Sequence, residues 1–152
     1  MSIPRRSIRY LAAIYAIGKG SPVKLADIAR FLNITPPAAF DYISRLIDHD
    51  LVERVGRGLY RLTPRGLEVL SSRVKAHGIV EILLHSYLGL PLDKACIASS
   101  RIEDMVDPVK IEEICGILGH PDRCPHGDPL PHGDDIGILT ALSDRSCIFR
   151  YS

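Results

Sequence analysis

The chain has 152 residues, 46% of them hydrophobic and 24% charged, enough for one ordinary domain or two small lobes sharing a core. This balance excludes wholesale disorder, and no apolar run approaches the roughly 18 residues a membrane helix needs. The arginines of MSIPRRSIRY are not followed by the apolar stretch and cleavage site of a signal peptide. The expected compartment is therefore the cytoplasm, with no membrane association. Four cysteines in such a chain point to thiols, metal ligands or core packing rather than a disulfide scaffold.

Charge is unevenly spread. Residues 1–75 carry thirteen Lys/Arg against six Asp/Glu, and residues 76–152 carry six against twelve. Either charge simply fluctuates along the chain, or a basic half serves a polyanion and an acidic half a cation or partner chain.

In the basic half, Ile8, Leu11, Ala12 and Tyr15 recur on one helix face, and Gly18 and Gly20 stop that helix. A short second helix follows in KLADIARFL, with Leu25, Ile28, Ala29 and Leu32 on one side. Asn33 and Ile34 turn the chain. Thr35 is suited to cap a third helix, with Pro36 at the first position where its missing N–H costs nothing. That helix would bury Ala39, Ile43, Leu46 and Ile47. The β-prone runs LVERV and LYRLT around Gly56-Arg57-Gly58 read as a hairpin.

Three short helices with a tight second-to-third turn, then a hairpin, make a winged helix-turn-helix. Its third helix would enter a major groove by its N-terminal end, presenting Thr35, Pro37, Ala38, Phe40 and Asp41 to base edges or phosphates. Arg54, Arg57 and Arg61 on the wing suit phosphate contact, which adds affinity without reading sequence. Asp41 would be repelled by phosphate or accept a hydrogen bond from a cytosine amino group. A winged helix can also be a protein-interaction module, but the basic balance favours double-stranded DNA.

In the acidic half, Thr63-Pro64 opens a long helix reaching about Leu84. Leu67, Leu70, Val74, His77, Glu81 and Leu84 form one stripe, so two ionisable groups interrupt an apolar seam at i and i+4. Unpaired burial would be expensive, so they either bind one cation together, bond to each other, or sit where the seam opens to water. A second helix begins near Asp93. Cys96, Ser100 and Glu103 project from one face, with Asp104 beside them, opposite an apolar stripe of Ala95, Ala98, Ile102 and Met105. The polar face reads most simply as solvated. A third helix runs from Asp107-Pro108 to Gly119, with Ile111, Ile114, Cys115 and Leu118 as its core stripe and Cys115 as a buried thiol.

The segment HPDRCPHGDPLPHGDD that follows is too rich in proline and glycine for regular structure. Cys124 and His126 would point to the same side of an extended backbone. A thiolate and an imidazole presented together suit Zn²⁺ or Fe²⁺ better than a hard ion. His120 and His132 read as exposed loop histidines.

Taken in order, YLAAIYAI, LADIARFLNITPPAAFDYISRLIDHDLVER, GLYRLTPRGLEVL, HGIVEILL, RIEDMV and HPDRCPHGDPLP resemble the diphtheria-toxin-repressor/manganese-repressor family of metal-dependent transcriptional regulators. The resemblance covers about residues 7–131. It implies a homodimer formed through the acidic helices, with metal positions between them and the DNA-binding lobe. By position it implies His77, Glu81 and Glu103 as ligands, Cys96 where iron-responsive members have a histidine, and Cys124 and His126 from the loop. Three positions depart from the family: Arg9 replaces a Met or Asp ligand, Ser100 a Cys or Glu, and Asp104 a His. A cation cannot ligate a cation, so Arg9 would either pair with Glu103 or Asp104 or face solvent or phosphate.

The expected fold is therefore mainly α. A winged helix-turn-helix over 1–70 would precede a helical dimerisation and metal-binding region over 71–131. Residues 132–152 would form a short tail, with no SH3-like domain. The expected function is a homodimeric metal-dependent or metal-stabilised regulator of a palindromic operator, a repressor of metal-homeostasis genes. His77, Glu81, Cys124 and His126 would hold a divalent ion, Zn²⁺ as bound or Fe²⁺ or Mn²⁺ as signal, with Cys96, Glu103 and Asp104 as further candidate ligands. The alternatives are a structural zinc without sensing and an interaction module without DNA. A metal hydrolase lacks an evident base beside an open three-ligand site, so no enzymatic activity is expected.

Overall fold

The computed structural model describes residues 3–133, 135 and 137–150. Helix α1 (Arg5–Gly18) is followed by a two-residue strand β1 (Val23–Lys24), α2 (Leu25–Leu32) and α3 (Pro36–Asp48). Strands β2 (Val52–Gly56) and β3 (Leu59–Leu62) form the wing, and α4 (Pro64–Ile82) leaves it. After a wider turn at Leu83–Tyr87 come α5 (Leu92–Ile102) and α6 (Pro108–Ile117), then two short 3₁₀ turns at Gly137–Ala141 and Cys147–Phe149. Winged helix-turn-helix and helical region make up a mainly α protein. Among the described residues no helix is long and apolar enough to cross a membrane.

Local chemistry sets the helix starts. Thr35 Oγ1 accepts from Ala38 N at 3.3 Å, Thr63 Oγ1 from Gly66 N at 3.0 Å, and Asp107 Oδ1 from Val109 N at 2.9 Å. Each cap is followed by proline at the first helical position, so orphan N–H groups are few where each helix begins. Asn33 ends α2 in the left-handed conformation, φ 56°, which a short polar side chain tolerates. The sheet order is β1-β3-β2, antiparallel throughout, with Val23 opposite Tyr60 and Glu53 opposite Arg61.

Two apolar clusters result. The first joins Ile8, Leu11 and Ile14 of α1 to Ile28, Ile43 and Leu70, and it also takes Leu139, Leu142 and Ile148 from the C-terminal segment. The second packs Ile79 against Cys96, Ile111, Cys115, Cys124, Leu130 and Cys147. The segment after residue 131 is thus built into both clusters. Lys19 Nζ ties it to α1 by donating to the carbonyls of Thr140 and Leu142 at 2.6 and 2.8 Å.

Two faces differ from the periodicity reading. Ile47 is 36% exposed at the outer edge of α3 rather than buried. On α5 and the turn after it, Ala95 is buried as expected, but so is part of the polar side. Cys96 and Glu103 are 0% and 2% exposed, while Ile102 and Met105 are 38% and 78% exposed. The expected solvated face is overturned because it meets the ionisable groups of α4, which supply partners that water would otherwise provide.

Candidate metal centre and DNA-facing surface

Helix α4 brings His77 and Glu81 one turn apart into the second apolar cluster, where both are buried. Gly78 lies between them. A methyl group there would sit 2.0 Å from Leu130 Cδ2, so glycine is what allows the Cys124–Leu130 loop to close on the helix. Cys124 N donates to Asp128 O at 2.9 Å, and Leu130 N donates to Asp122 O at 2.9 Å, which folds the loop tightly.

A continuous polar chain crosses the interior. Arg5 Nη1 donates to Glu103 Oε1 at 2.7 Å, and Glu103 Oε2 lies 2.6 Å from His77 Nδ1. His77 Nε2 lies 3.1 Å from Glu81 Oε2, and Glu81 Oε1 lies 2.9 Å from His126 Nδ1. Cys96 Sγ is 3.5 Å from His77 Nε2, and Cys147 Sγ is 3.3 Å from His126 Nδ1 and 3.7 Å from Glu81 Oε2.

The donor atoms fall into two overlapping quartets, each within 4.8 Å overall: His77, Glu81, Cys96 and Cys147, and Glu81, Cys124, His126 and Cys147. All five of His77, Glu81, Cys96, Cys124 and His126 are brought together, but His77 stands in one quartet and the Cys-Pro-His loop in the other. Cys147 belongs to both and was not singled out by the sequence reading. The available signal was arithmetic: the other three cysteines had roles and the fourth had none.

Glu103 lies one bond behind the quartets. Its carboxylate holds His77 Nδ1, which turns Nε2 towards Glu81 and Cys96. Such an outer carboxylate fixes tautomer and ring orientation at metal-binding histidines. Asp104 is exposed, outside both quartets, and its charge acts on Arg73. Arg5, one turn before Arg9 on α1, makes the ion pair to Glu103. Arg9 Nε is buried without a hydrogen-bond partner among the described residues. Arg5 Nη2 also donates to Cys147 O at 3.1 Å, so one guanidinium ties α1 to both Glu103 and the C-terminal segment.

The electrostatics suit a cation. Burial alone would raise the Glu81 carboxyl, but bonds from His77 and His126 bring it down to about 2. Burial would depress His77, yet its bonds to Cys96, Glu103 and Glu81 raise it well above the ordinary imidazole value. Bonding to Cys147 outweighs burial at Cys96 and, with His77, lowers that thiol to about 6. Cys147 is pushed up by its bonds to Cys124 and Cys96 and by burial, so it keeps its proton. Buried thiols, two imidazoles and a shared carboxylate form a donor set for a borderline-soft divalent ion rather than for Ca²⁺ or Mg²⁺.

On the opposite lobe, Thr35, Pro37, Ala38, Phe40 and Asp41 are all exposed at the N-terminal end of α3, Phe40 by half. Arg57 is exposed at the hairpin tip beside Gly58, whose φ is 68°. Arg54 is exposed as well, whereas Arg61 is engaged by Glu53 across the wing.

A family profile described as iron dependent repressor, metal binding and dimerisation domain matches residues 63–132. A second, described as transcriptional regulator, AbiEi antitoxin, matches residues 11–63. The chain is 29% identical over 145 residues to an HTH-type transcriptional regulator of Aeropyrum pernix, covering 93% of this chain and 80% of that one. It is 26% identical over 129 residues to the diphtheria toxin repressor of Corynebacterium jeikeium, covering 84% of this chain and 53% of the repressor. A solved hypothetical protein of Sulfolobus solfataricus is similar with TM-score 0.71 and 30% identity, over 86% of this chain and 100% of its own. IdeR of T. acidophilum is similar with TM-score 0.59 and 32% identity, over 90% of this chain and 62% of IdeR. The chain thus spans about half the length of the diphtheria toxin repressor it matches.

Proposed function

The chain belongs to the diphtheria-toxin-repressor/manganese-repressor family of metal-dependent transcriptional regulators, and from that premise we propose that it is a homodimeric repressor of metal-homeostasis genes. It binds a palindromic DNA operator and takes a divalent transition metal in the Glu81-centred cluster. The observation that carries this reading is the unbroken path from the two donor quartets through Glu103 to Arg5, at the start of the first helix of the DNA-binding lobe.

A bound ion would draw the donors together by charge and stabilise the thiolates. Everything else is done by the chain. Glu103 holds His77 in one orientation and Arg5 in one position, while Glu81 presents one oxygen to each quartet. Cys147 fastens the C-terminal segment, which packs on α1 through Leu139, Leu142 and Ile148. The seating of α1, and with it α3 and the wing, therefore depends on the same residues that would hold metal. Thr35, Pro37, Ala38, Phe40 and Asp41 would face bases or phosphates, with Arg57 on the backbone. The exposed apolar side chains Tyr87, Leu88, Met105, Val109 and Ile117 on the turn, α5 and α6 support a second copy of the chain as the partner.

A second reading is a structural zinc without sensing. It is favoured by the Arg5–Glu103 ion pair, which joins the lobes by direct contact. Selection from random-sequence DNA by metal-loaded protein tests the proposal. Enrichment of a palindrome with half-sites about one helical turn or a multiple apart supports it; no enriched palindrome under any metal condition contradicts it.

A further inference from the structure

A second set of thiol and imidazole donors shares no residue with the Glu81 cluster. Cys115 on α6 is fully buried, with its Sγ 3.6 Å from His120 Nδ1 and 3.7 Å from His132 Nδ1. All three donor atoms lie within 4.8 Å of one another. From the sequence alone Cys115 reads as a core thiol and the two histidines as exposed loop residues. The fold instead converges them on one point.

Each histidine is held there by backbone. Gly119 and His120 both adopt positive φ, 81° and 54°, and His120 N donates to Cys115 O at 2.9 Å. This reversal returns the His120 ring over the last turn of α6, beside Gly116. His132 Nε2 lies 3.0 Å from Pro121 O, with Asp122 Oδ1 at 3.5 Å. A carbonyl oxygen can only accept, so Nε2 carries the proton and a neutral His132 presents the Nδ1 lone pair to Cys115. A histidine whose distal N–H is anchored on a carbonyl or carboxylate has the outer arrangement of a metal ligand.

The spacing also fits. Bond lengths of about 2.3 Å to sulfur and 2.0–2.1 Å to nitrogen, at tetrahedral angles, place S and N about 3.6 Å apart. The two observed S···N separations have that length. An S–H···N hydrogen bond has the same length, so the pointer to a cation is the convergence of two imidazole nitrogens on one sulfur.

We propose that Cys115, His120 and His132 form a second site for a borderline-soft divalent cation of the Zn²⁺ or Co²⁺ type. The protein supplies one sulfur and two nitrogens, and the fourth position opens to solvent beside His120, which is exposed. Binding there takes the thiol proton from Cys115 and pins the loop that begins at His120 to α6. Three ligands and an exposed edge make this site exchange with the medium more readily than the buried cluster, whose donors are enclosed.

Cobalt titration of the full-length protein tests the proposal, read by the near-ultraviolet thiolate-to-cobalt absorption and by bound Co²⁺ per chain. The double variant His120→Ala/His132→Ala changes only groups at or near the surface and should keep the wild-type circular dichroism. It should bind one equivalent of Co²⁺ fewer than wild type. A Cys124→Ser/Cys147→Ser variant, which removes two thiols of the other cluster, should bind one equivalent fewer once His132→Ala is added. Equal Co²⁺ uptake by wild type and the double-histidine variant would overturn the site. So would Co²⁺ uptake by the thiol variant that adding His132→Ala leaves unchanged.

Discussion

Arg5 at the start of α1 and Glu103 at the end of α5 are joined by an ion pair of 2.7 Å, with the carboxylate almost wholly buried. Ninety-eight residues separate them in sequence. Removing the guanidinium would leave a buried carboxylate facing Arg73 at 3.8 Å and His77 alone. Breaking a buried pair from one side costs about 3 kcal/mol. Arg5→Ala should lose stability on that order in urea denaturation, while Arg9→Ala should lose distinctly less. Equal effects of the two substitutions would contradict the assignment of the bridge to Arg5.

Glu103 acts on His77 rather than filling either quartet. Glu103→Gln should therefore keep the wild-type number of bound zinc ions and weaken their affinity about 10–100-fold, the usual effect of losing an outer partner. Elemental analysis with a chelator competition separates the two quantities. A lost equivalent of zinc would make Glu103 a direct ligand instead.

Cys147 contributes to both quartets and carries the C-terminal segment onto them. Its backbone N–H is held by Asp128 Oδ2 at 2.6 Å. Cys147→Ser should lower zinc affinity more than Cys96→Ser, because one substitution weakens two donor sets. Amide exchange over residues 137–150 should accelerate in the same variant. Unchanged exchange there would mean the segment is held by Leu139, Leu142 and Ile148 alone.

The pH dependence follows from His77. Its raised value means that, in metal-free protein, the stabilisation from Glu103 and Glu81 is complete below about 6.5 and is lost as pH climbs through the folded-state value. An ion on Nε2 must displace that proton. Zinc affinity should therefore rise with pH across the same window, by up to about tenfold per unit for each proton displaced, from His77 and from the Cys147 thiol. Glu81, held at about 2, adds no competing proton there, and Cys96, at about 6, is largely thiolate at neutral pH. Chelator competition across this range would refute the scheme if affinity stayed flat.

On the DNA side, Arg57→Ala should weaken binding to all sequences alike and reduce the salt slope, since phosphate contacts release counterions without reading bases. Changes at Thr35 or Phe40 should alter which site is preferred. A change of preference from Arg57→Ala with intact salt dependence would reverse the roles of wing and helix.

What could be read from sequence was what local chemistry decides. Thr35-Pro36, Thr63-Pro64 and Asp107-Pro108 punctuate helices through caps within a few residues, so those starts were legible. Strand β1 was not, because Val23 and Lys24 extend only by pairing with Tyr60 and Leu59. The buried side of α5 was misjudged because two opposed stripes have the same period, and the choice rests on what α4 presents. Cys147 sits in an irregular segment with no periodicity, and only its return across the chain reveals it. Arg5 and Arg9 share a helix face one turn apart, and register between distant helices decides which reaches Glu103.

The most direct measurement is the dissociation constant for one operator, taken with zinc-loaded and with metal-stripped protein at fixed salt. The account predicts about tenfold weaker binding after stripping, a coupling of ~1.4 kcal/mol, restored by Zn²⁺. It also predicts that Arg5→Ala abolishes the difference, because that residue links the cluster to α1. Identical affinity of loaded and stripped wild-type protein would contradict it.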